Sequence, residues 1–204
     1  MEFSDFDLNY QNTNIESKIV AALERIAEVF RVILWGASKK SKLSPIQIQI
    51  LVFLLFHSNN QKKVSYLAQE FNMTKATISE ALKKLEEKNL VYREPSIEDA
   101  RSFVVNLTST GKKIAQEMSL FTQQINEVVN KLSKQEKENL LLTLLKIIKS
   151  LNELGVISIQ RMCMNCIHYE FMPNSNTHFC HLLNHELATH ELRIECPDFN
   201  YQKN

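Results

Sequence analysis

Apolar residues recur every three or four positions along much of the 204-residue chain, which predicts a mainly helical fold. A Ser or Thr followed three positions later by Glu or Gln marks expected helix starts at Thr13, Ser44 and Ser133. The helix after Ser44 is apolar on nearly all sides and should form the centre of the domain. Thr108 is expected to cap a further helix that runs to about Lys131.

The helix predicted after Thr13 has a continuous apolar side. This stripe consists of Ile15, Ile19, Ala22, Leu23, Ile26, Phe30, Ile33 and Leu34. A long helix with such a stripe needs another helix to cover it. We interpret the stripe as partly buried across a homodimer interface, with packing inside one subunit as the alternative. The apolar face between Leu140 and Leu151 is expected to be exposed on a monomer in the same way.

A helix, a turn and a second helix are predicted between residues 64 and 89. Ser65 is a candidate cap for the first, short helix. Asn72 and Met73 predict a tight turn, and Thr74 is a candidate cap for the second helix. The apolar side of that second helix consists of Ile78, Ala81, Leu82 and Leu85. This arrangement is typical of a helix-turn-helix.

Two short apolar runs, 90–93 and 103–107, predict strands joined by a polar hairpin loop at 96–101. A further short strand after Lys63 could join the edge of the same sheet. Strands directly after a helix-turn-helix predict a winged helix-turn-helix, whose second helix suits the major groove of DNA. The expected fold class is therefore mainly α with a small β wing, long dimerisation helices and a small metal-stapled C-terminal segment.

The second helix presents a polar side opposite its apolar residues. Candidate contacts with double-stranded DNA are Thr77, Ser79 and Lys75 for the bases and Lys83 and Lys84 for the phosphates. Residues 62–113 contain ten Lys or Arg against seven Asp or Glu, and a locally positive face suits phosphate binding. The alternative is the ordinary solvated side of a surface helix.

Four short motifs follow one another at a characteristic spacing: Leu43-Ser44-Pro45, Leu85-Glu86-Glu87-Lys88-Asn89-Leu90-Val91, Asp99-x-Arg101 and Leu107-Thr108-x-x-Gly111. Together they resemble the MarR-type regulators over about residues 13–154. The resemblance implies a homodimer on a palindromic operator. It also implies that Arg101 contacts the minor groove or phosphates and that Asp99 holds Arg101 in place through an ion pair.

Two positions depart from the family pattern. Asn89 stands where the family usually has Gly, which is a mild change because Asn tolerates the left-handed turn there. Glu80 stands where the family often has a basic residue, and an acidic side chain at that position would alter base preference.

The last 44 residues lie outside this resemblance and contain all four cysteines, together with five of the six histidines. The cysteines are Cys163, Cys166, Cys180 and Cys196. The chain has no signal peptide and no apolar run long enough to span a bilayer, so a cytoplasmic protein is expected. Cysteines in that compartment are thiols or metal ligands rather than structural disulfides.

A four-cysteine metal site would supply the stability that so small a segment lacks. Zinc and an iron–sulfur cluster are nearly equal candidates. The cluster is slightly favoured because only the first cysteine pair is close in sequence and the last cysteine precedes Pro197. A redox-active Cys163-x-x-Cys166 pair is a third interpretation, and a histidine in place of one cysteine ligand is a further alternative.

The leading hypothesis is a homodimeric DNA-binding transcriptional regulator whose cysteine segment stiffens the dimer or senses metal, iron or oxidants. A small-molecule or redox effector is a further candidate partner. The alternative is a metal-containing adaptor that uses its winged helix to bind protein. An enzyme is not expected, because the sequence has no phosphate loop and no nucleophile with a base. The expected organisation is a loose arm at 1–12, the MarR-like domain at 13–154 and the cysteine-rich extension at 155–204.

Overall fold

The computed structural model describes residues 4–95, 102–173 and 177–201. In chain order its helices are α1 (Leu8–Thr13), α2 (Ile15–Ser41), α3 (Pro45–Phe56), α4 (Val64–Glu70), α5 (Lys75–Glu87), α6 (Ser109–Met118), α7 (Gln123–Asn130) and α8 (Lys134–Glu153). The strands are β1 (Val91–Pro95), β2 (Phe103–Leu107), β3 (Tyr169–Met172), β4 (Thr177–Cys180) and β5 (His185–Leu187). A mainly helical fold with a small β wing is therefore confirmed.

The chain divides into two compact units. The first comprises Met1–Lys63 and Ser79–Gln124, and the second comprises Val64–Ile78 and Ile125–Asn204. The second unit thus joins α4, the turn after it and the first residues of α5 to α8 and the C-terminal extension. The boundary expected at residue 155 does not separate compact units, because the extension packs against α8.

Helix α3 forms the centre of the first unit, as its sequence predicts. Ser44 and Gln47 make the expected reciprocal capping box, and Pro45 occupies the first turn. Helix α3 packs against α2, α6 and strand β2. Its fully buried side chains are Ile48, Ile50, Leu51 and Leu54.

The N-terminal segment differs from the predicted loose arm. Asp7 accepts hydrogen bonds from two backbone N–H groups and so caps the short helix α1. The hydroxyl of Ser17 donates to the carboxylate of Asp5 over 2.6 Å. The predicted capping box at Thr13 is wrong, because Thr13 ends α1 and Asn14 caps α2 instead.

Three further boundaries differ from those predicted. Helix α4 begins at Val64, so Ser65 lies inside it rather than capping it. The strand expected after Lys63 is replaced by the start of α4, and the backbone N–H of Val105 in β2 donates to the carbonyl of Lys62. The single helix expected after Thr108 is broken by a 3-10 segment at Ser119–Thr122, which separates α6 from α7.

Strands β1 and β2 form an antiparallel pair in which Val91 faces Leu107 and Pro95 faces Phe103. They match the predicted wing, although its loop at 96–101 lies outside the described residues. Asn89 adopts the predicted left-handed conformation before β1, with φ of 53°.

Most of the apolar stripe of α2 is exposed. Every residue of this 27-residue helix is described, and only Ser17 is buried. Ile15 is 67% exposed and Ile26 is 54% exposed. The prediction that this stripe leaves apolar area uncovered on one protomer is confirmed.

The second unit contains a small sheet that the sequence did not predict. Strand β4 pairs antiparallel with both β3 and β5. A buried apolar cluster lies beside it and consists of Leu145 from α8 with Met162, Cys163, Met164, Leu187 and Leu192. Part of the α8 face that was expected to be exposed is therefore covered by the extension, although Leu140 and Leu151 remain 43% and 37% exposed. None of the described helices is long and apolar enough to cross a membrane.

Gly111 is predicted to be essential for the packing of α6. A Cβ atom built at Gly111 would lie 1.8 Å from the carbonyl oxygen of Leu90, and backbone cannot yield as a flexible side chain can. The Gly111→Ala substitution should lower the free energy of unfolding by about 1–3 kcal/mol, measured by urea denaturation.

Gly36 provides the matched control in α2, because a Cβ atom there meets nothing within 4 Å. The Gly36→Ala substitution should raise the free energy of unfolding by about 0.5–1 kcal/mol, since alanine loses less chain entropy in a helix. Equal effects of the two substitutions would contradict the close approach of α6 to Leu90.

Candidate nucleic-acid interface and metal centre

The turn between α4 and α5 is held by backbone and hydroxyl hydrogen bonds. Asn72 adopts a left-handed conformation with φ of 49°. The backbone N–H of Met73 donates to the carbonyl of Ala68 over 2.9 Å. The hydroxyl of Thr74 accepts from the backbone N–H of Thr77 over 3.1 Å, which caps α5 as predicted.

Helix α5 has the two faces that its sequence predicts. The apolar face is buried, with Ile78, Leu82 and Leu85 at 0% exposure and Ala81 at 6%. Of the candidate DNA contacts, Ser79 is half-buried, and the exposed ones are Lys75, Thr77, Lys83 and Lys84. The hydroxyl of Thr77 lies 2.9 Å from that of Thr74, so part of its hydrogen-bonding capacity is used within the protein.

The charge on this exposed face is partly neutralised. The ammonium of Lys84 lies 3.3 Å from the carboxylate of Glu80, one helical turn earlier. Both side chains are more than half exposed, so this pair is weak and open to competition from phosphate. Asp99 and Arg101 lie outside the described residues, and their proposed contact with each other and with DNA stays a prediction.

The four cysteines, all of them described, line a single cavity of about 130 Å³ and form no disulfide. Cys163 begins a 3-10 turn that ends before Cys166. Cys180 is the last residue of β4, and Cys196 follows in the C-terminal loop. The topology therefore brings together cysteines that are up to 33 positions apart.

The cavity has apolar walls and hydrogen-bond donors near two of the sulfurs. Its other lining residues are His168, Leu182, Leu183, His185, Leu187, Glu191, Arg193 and Asp198. The backbone N–H of Arg193 lies 3.2 Å from Sγ of Cys163, and its guanidinium lies 3.6 Å from Sγ of Cys196. Hydrogen bonds to sulfur are one of the means by which proteins tune iron–sulfur centres.

The environment of Cys163 disfavours its charged form in the absence of a cation. Burial, followed by the nearby sulfurs of the other cysteines, raises the pKa of this thiol against the opposing effect of the Arg193 N–H group. A bound metal cation reverses this balance, because coordination stabilises the thiolate. Within the described parts of the chain, no three His, Cys, Asp or Glu side chains are arranged closely enough to hold one metal ion.

Sequence reasoning missed an ion-pair network around Arg161, which is 6% exposed. Its guanidinium binds both carboxylate oxygens of Glu195, at 2.8 and 3.0 Å, and donates to Glu70 of α4 over 2.9 Å. It also donates to the hydroxyl of Tyr66. Burial alone would lower the pKa of Arg161, but the two carboxylates reverse the effect and raise it. The partners are far apart in sequence, and the one local signal is that Glu195 precedes Cys196.

Comparison with known proteins identifies the family. A family model described as "MarR family" matches residues 41–102. The uncharacterized HTH-type transcriptional regulator YfiV of Bacillus subtilis is 31% identical over 119 residues, which are 56% of this chain and 72% of YfiV. The chain belongs to the MarR family. A second relative, the HTH-type transcriptional regulator SarZ of Staphylococcus epidermidis, is 28% identical over 90 residues, which are 44% of this chain and 60% of SarZ.

Solved structures agree with this MarR assignment. MepR of S. aureus, in a crystal structure of a MepR–DNA complex, is 25% identical with a TM-score of 0.56. That match covers 96% of MepR and 64% of this chain. MepR in a DNA-binding conformation shares the fold at 23% identity and a TM-score of 0.58, with 98% of MepR and 65% of this chain covered. The family model ends at residue 102, upstream of all four cysteines.

Proposed function

We propose that this protein is a DNA-binding transcriptional regulator that places α5 in the major groove. The observation that carries the proposal is the capped α4–turn–α5 arrangement with an antiparallel wing, in a chain of the MarR family. The polar residues at the start of α5, Lys75 and Thr77, lie where a recognition helix contacts base edges. Relatives named as HTH-type transcriptional regulators and a homologue crystallised with DNA support the same function.

The regulator acts as a homodimer on a palindromic operator. Helix α2 exposes nine large apolar side chains: Ile15, Ile19, Val20, Leu23, Ile26, Val29, Phe30, Val32 and Trp35. A monomer rarely exposes so many large apolar side chains on one helix, and a second copy supplies a matching apolar helix. Two-fold symmetry then spaces two α5 helices to read two half-sites of opposite orientation.

An iron–sulfur cluster is the cofactor that we favour slightly over zinc for the cysteine cavity, because only the first cysteine pair is close in sequence and the last cysteine precedes Pro197. Four thiolates around one zinc ion would hold their sulfurs about 3.8 Å apart, given Zn–S distances of about 2.3 Å. All four cysteines line one cavity of about 130 Å³.

The first effect of the cofactor would be to stabilise the folded extension. A group that binds the folded extension and not the unfolded chain stabilises the fold by mass action. Its four ligands come from a 3-10 turn, the residue after it, the end of β4 and the C-terminal loop. Loss of the cofactor would therefore release elements that the apolar cluster around Leu145 holds only in part. A redox-sensitive cluster would make that release a signal.

The first test concerns DNA. Lys83 is expected to contact a phosphate, so Lys83→Ala should reduce the slope of log affinity against log salt by about 0.9 for each protomer, or about 1.8 for a dimer. Fluorescence anisotropy with a duplex of about 30 base pairs, selected from a random pool, measures this slope. Lys134→Ala on α8 is the control and should leave the slope unchanged. A protein that selects no duplex would favour the alternative, a metal-containing adaptor that binds protein through its winged helix.

The second test concerns assembly. The wild-type protein should scatter light as a dimer at micromolar concentration, because the α2 stripe is otherwise exposed to water. Ile19 is 48% exposed on the protomer, so Ile19→Asp should not harm the core but should give a poorly soluble monomer. Lys18→Asp, which adds negative charge at a neighbouring position outside the stripe, should remain dimeric. A monomeric wild-type protein would refute the homodimer.

The third test concerns the cofactor. Protein purified without oxygen should be brown and contain iron with a similar amount of acid-labile sulfide, about two to four of each per protomer. Cys166→Ser should lose the iron, whereas His185→Ala, which changes an exposed side chain in the same cavity, should keep it. Colourless protein with one zinc ion would leave the thiolate site standing and reject the cluster. Full iron content in Cys166→Ser would reject the four-cysteine site.

A further inference from the structure

Arg161 bridges the cysteine cavity and the helix-turn-helix through direct hydrogen bonds on both sides. On the cavity side, its guanidinium holds Glu195 in a two-point ion pair, and its backbone carbonyl accepts from the N–H of Cys196 over 2.9 Å. On the other side, the same guanidinium holds Glu70 at the end of α4 and Tyr66 one turn earlier. One buried cation is therefore shared by a cysteine-bearing loop and a helix that precedes the recognition helix.

The segment that carries Glu195 is itself fixed by the cysteines. The carbonyl of Arg193 accepts from the N–H of Cys163 over 2.9 Å, and the N–H of Arg193 faces Sγ of Cys163 at 3.2 Å. Cys196 is the residue next to Glu195. A cofactor bound by Cys163 and Cys196 would hold this loop in place, and loss of the cofactor would free the loop and with it the carboxylate that Arg161 binds.

A second contact joins the same region to the turn before α5. The hydroxyl of Ser158 lies 2.8 Å from the carbonyl of Gln69 and 2.9 Å from the side-chain oxygen of Asn72. Asn72 is the left-handed residue of that turn, and Thr74 directly after the turn caps α5. Residues 158–161 thus contact α4 and the turn, and these two elements position the first residues of the recognition helix.

We infer that Arg161 couples the occupancy of the four-cysteine site to DNA binding, by holding α4 and the turn before α5 in their DNA-binding position only while Glu195 is in place. The inference rests on the proposed function and adds the regulation of that site. The regulated element is the start of α5, where Lys75 and Thr77 lie. In this arrangement cofactor loss lowers DNA affinity, and by reciprocity DNA binding tightens the hold on the cofactor.

The test compares duplex affinity for cofactor-loaded and cofactor-stripped protein, in the wild type and in Glu70→Ala. Glu70 is on α4, remote from every cysteine in sequence, so its removal breaks the bridge without touching the cofactor ligands. The selected duplex described above serves as the probe. The wild type should lose affinity by at least about tenfold when iron is stripped by anaerobic chelation, and Glu70→Ala should show less than about a threefold difference. Glu153→Ala, an exposed carboxylate change on α8, is the control and should behave as the wild type.

A second measurement does not depend on DNA. Amide hydrogen exchange across residues 64–74 should speed up when the wild type is stripped and should be fast in both forms of Glu70→Ala. Ser158→Ala replaces Glu70→Ala if the latter does not fold, and it should weaken the coupling in the same direction because it removes the contact with the turn.

The outcomes separate the inference from the function on which it rests. Equal duplex affinity of loaded and stripped wild type would overturn the coupling while leaving a DNA-binding regulator with a structural cofactor. If Glu70→Ala and Ser158→Ala each lose as much duplex affinity on stripping as the wild type does, the route through Arg161 is overturned. Loaded wild type that binds no duplex would overturn the proposed function and the coupling together.

Discussion

The buried guanidinium of Arg161 fixes the arrangement of the second compact unit. Its side chain is 7% exposed, and a cation removed from water must keep its hydrogen-bond partners. Those partners come from Glu70 and Tyr66 on α4 and from Glu195 beside the last cysteine. An exposed ion pair contributes about 0–1 kcal/mol, whereas breaking a buried one by removing a partner costs about 3–5 kcal/mol. Separating α4 from the extension would break the contacts of this guanidinium with Glu70 and Tyr66, which explains why residues 64–78 belong with the C-terminal extension.

The extension also depends on α8, because so short a segment cannot build a core of its own. Leu145 of α8 is 1% exposed and completes a cluster with Met162, Leu187 and Leu192. Cys163 belongs to that cluster and also lines the cysteine cavity, so one side chain joins the apolar core to the candidate metal centre. A cofactor bound there would stabilise the same surface that the cluster buries. Its effect would extend along the packed residues to α8 and would not be confined to the loop.

Helix caps and turns could be predicted from the sequence, whereas contacts between residues far apart in sequence could not. The caps at Ser44 and Ser133, the turn at Asn72 and the left-handed conformation of Asn89 depend on residues within four positions, and each was predicted correctly. The cysteines could be grouped because all four lie in one short segment, although their shared cavity could be seen only in the fold. The β3–β5 sheet escaped prediction because its strands have three or four residues and no regular alternation of burial. The partners of Arg161 lie 91 and 34 positions away, and no local pattern marks such a pair.

In the proposed function, the DNA affinity of α5 depends more on where the helix lies than on its charge. Its exposed face has three lysines, and one of them, Lys84, is paired with Glu80. In the proposed DNA complex, the attraction of α5 to phosphates, which is independent of sequence, is then modest, so base contacts from the start of the helix would supply a larger share of the affinity. Such contacts need side-chain atoms placed within hydrogen-bond distance of base edges, so a small displacement of the helix breaks them. The same displacement leaves screened charge attraction almost unchanged. In the regulation that we propose, DNA affinity changes when the first turn of α5 moves, and that turn is the part of the helix that shares a compact unit with Arg161 and the cysteines.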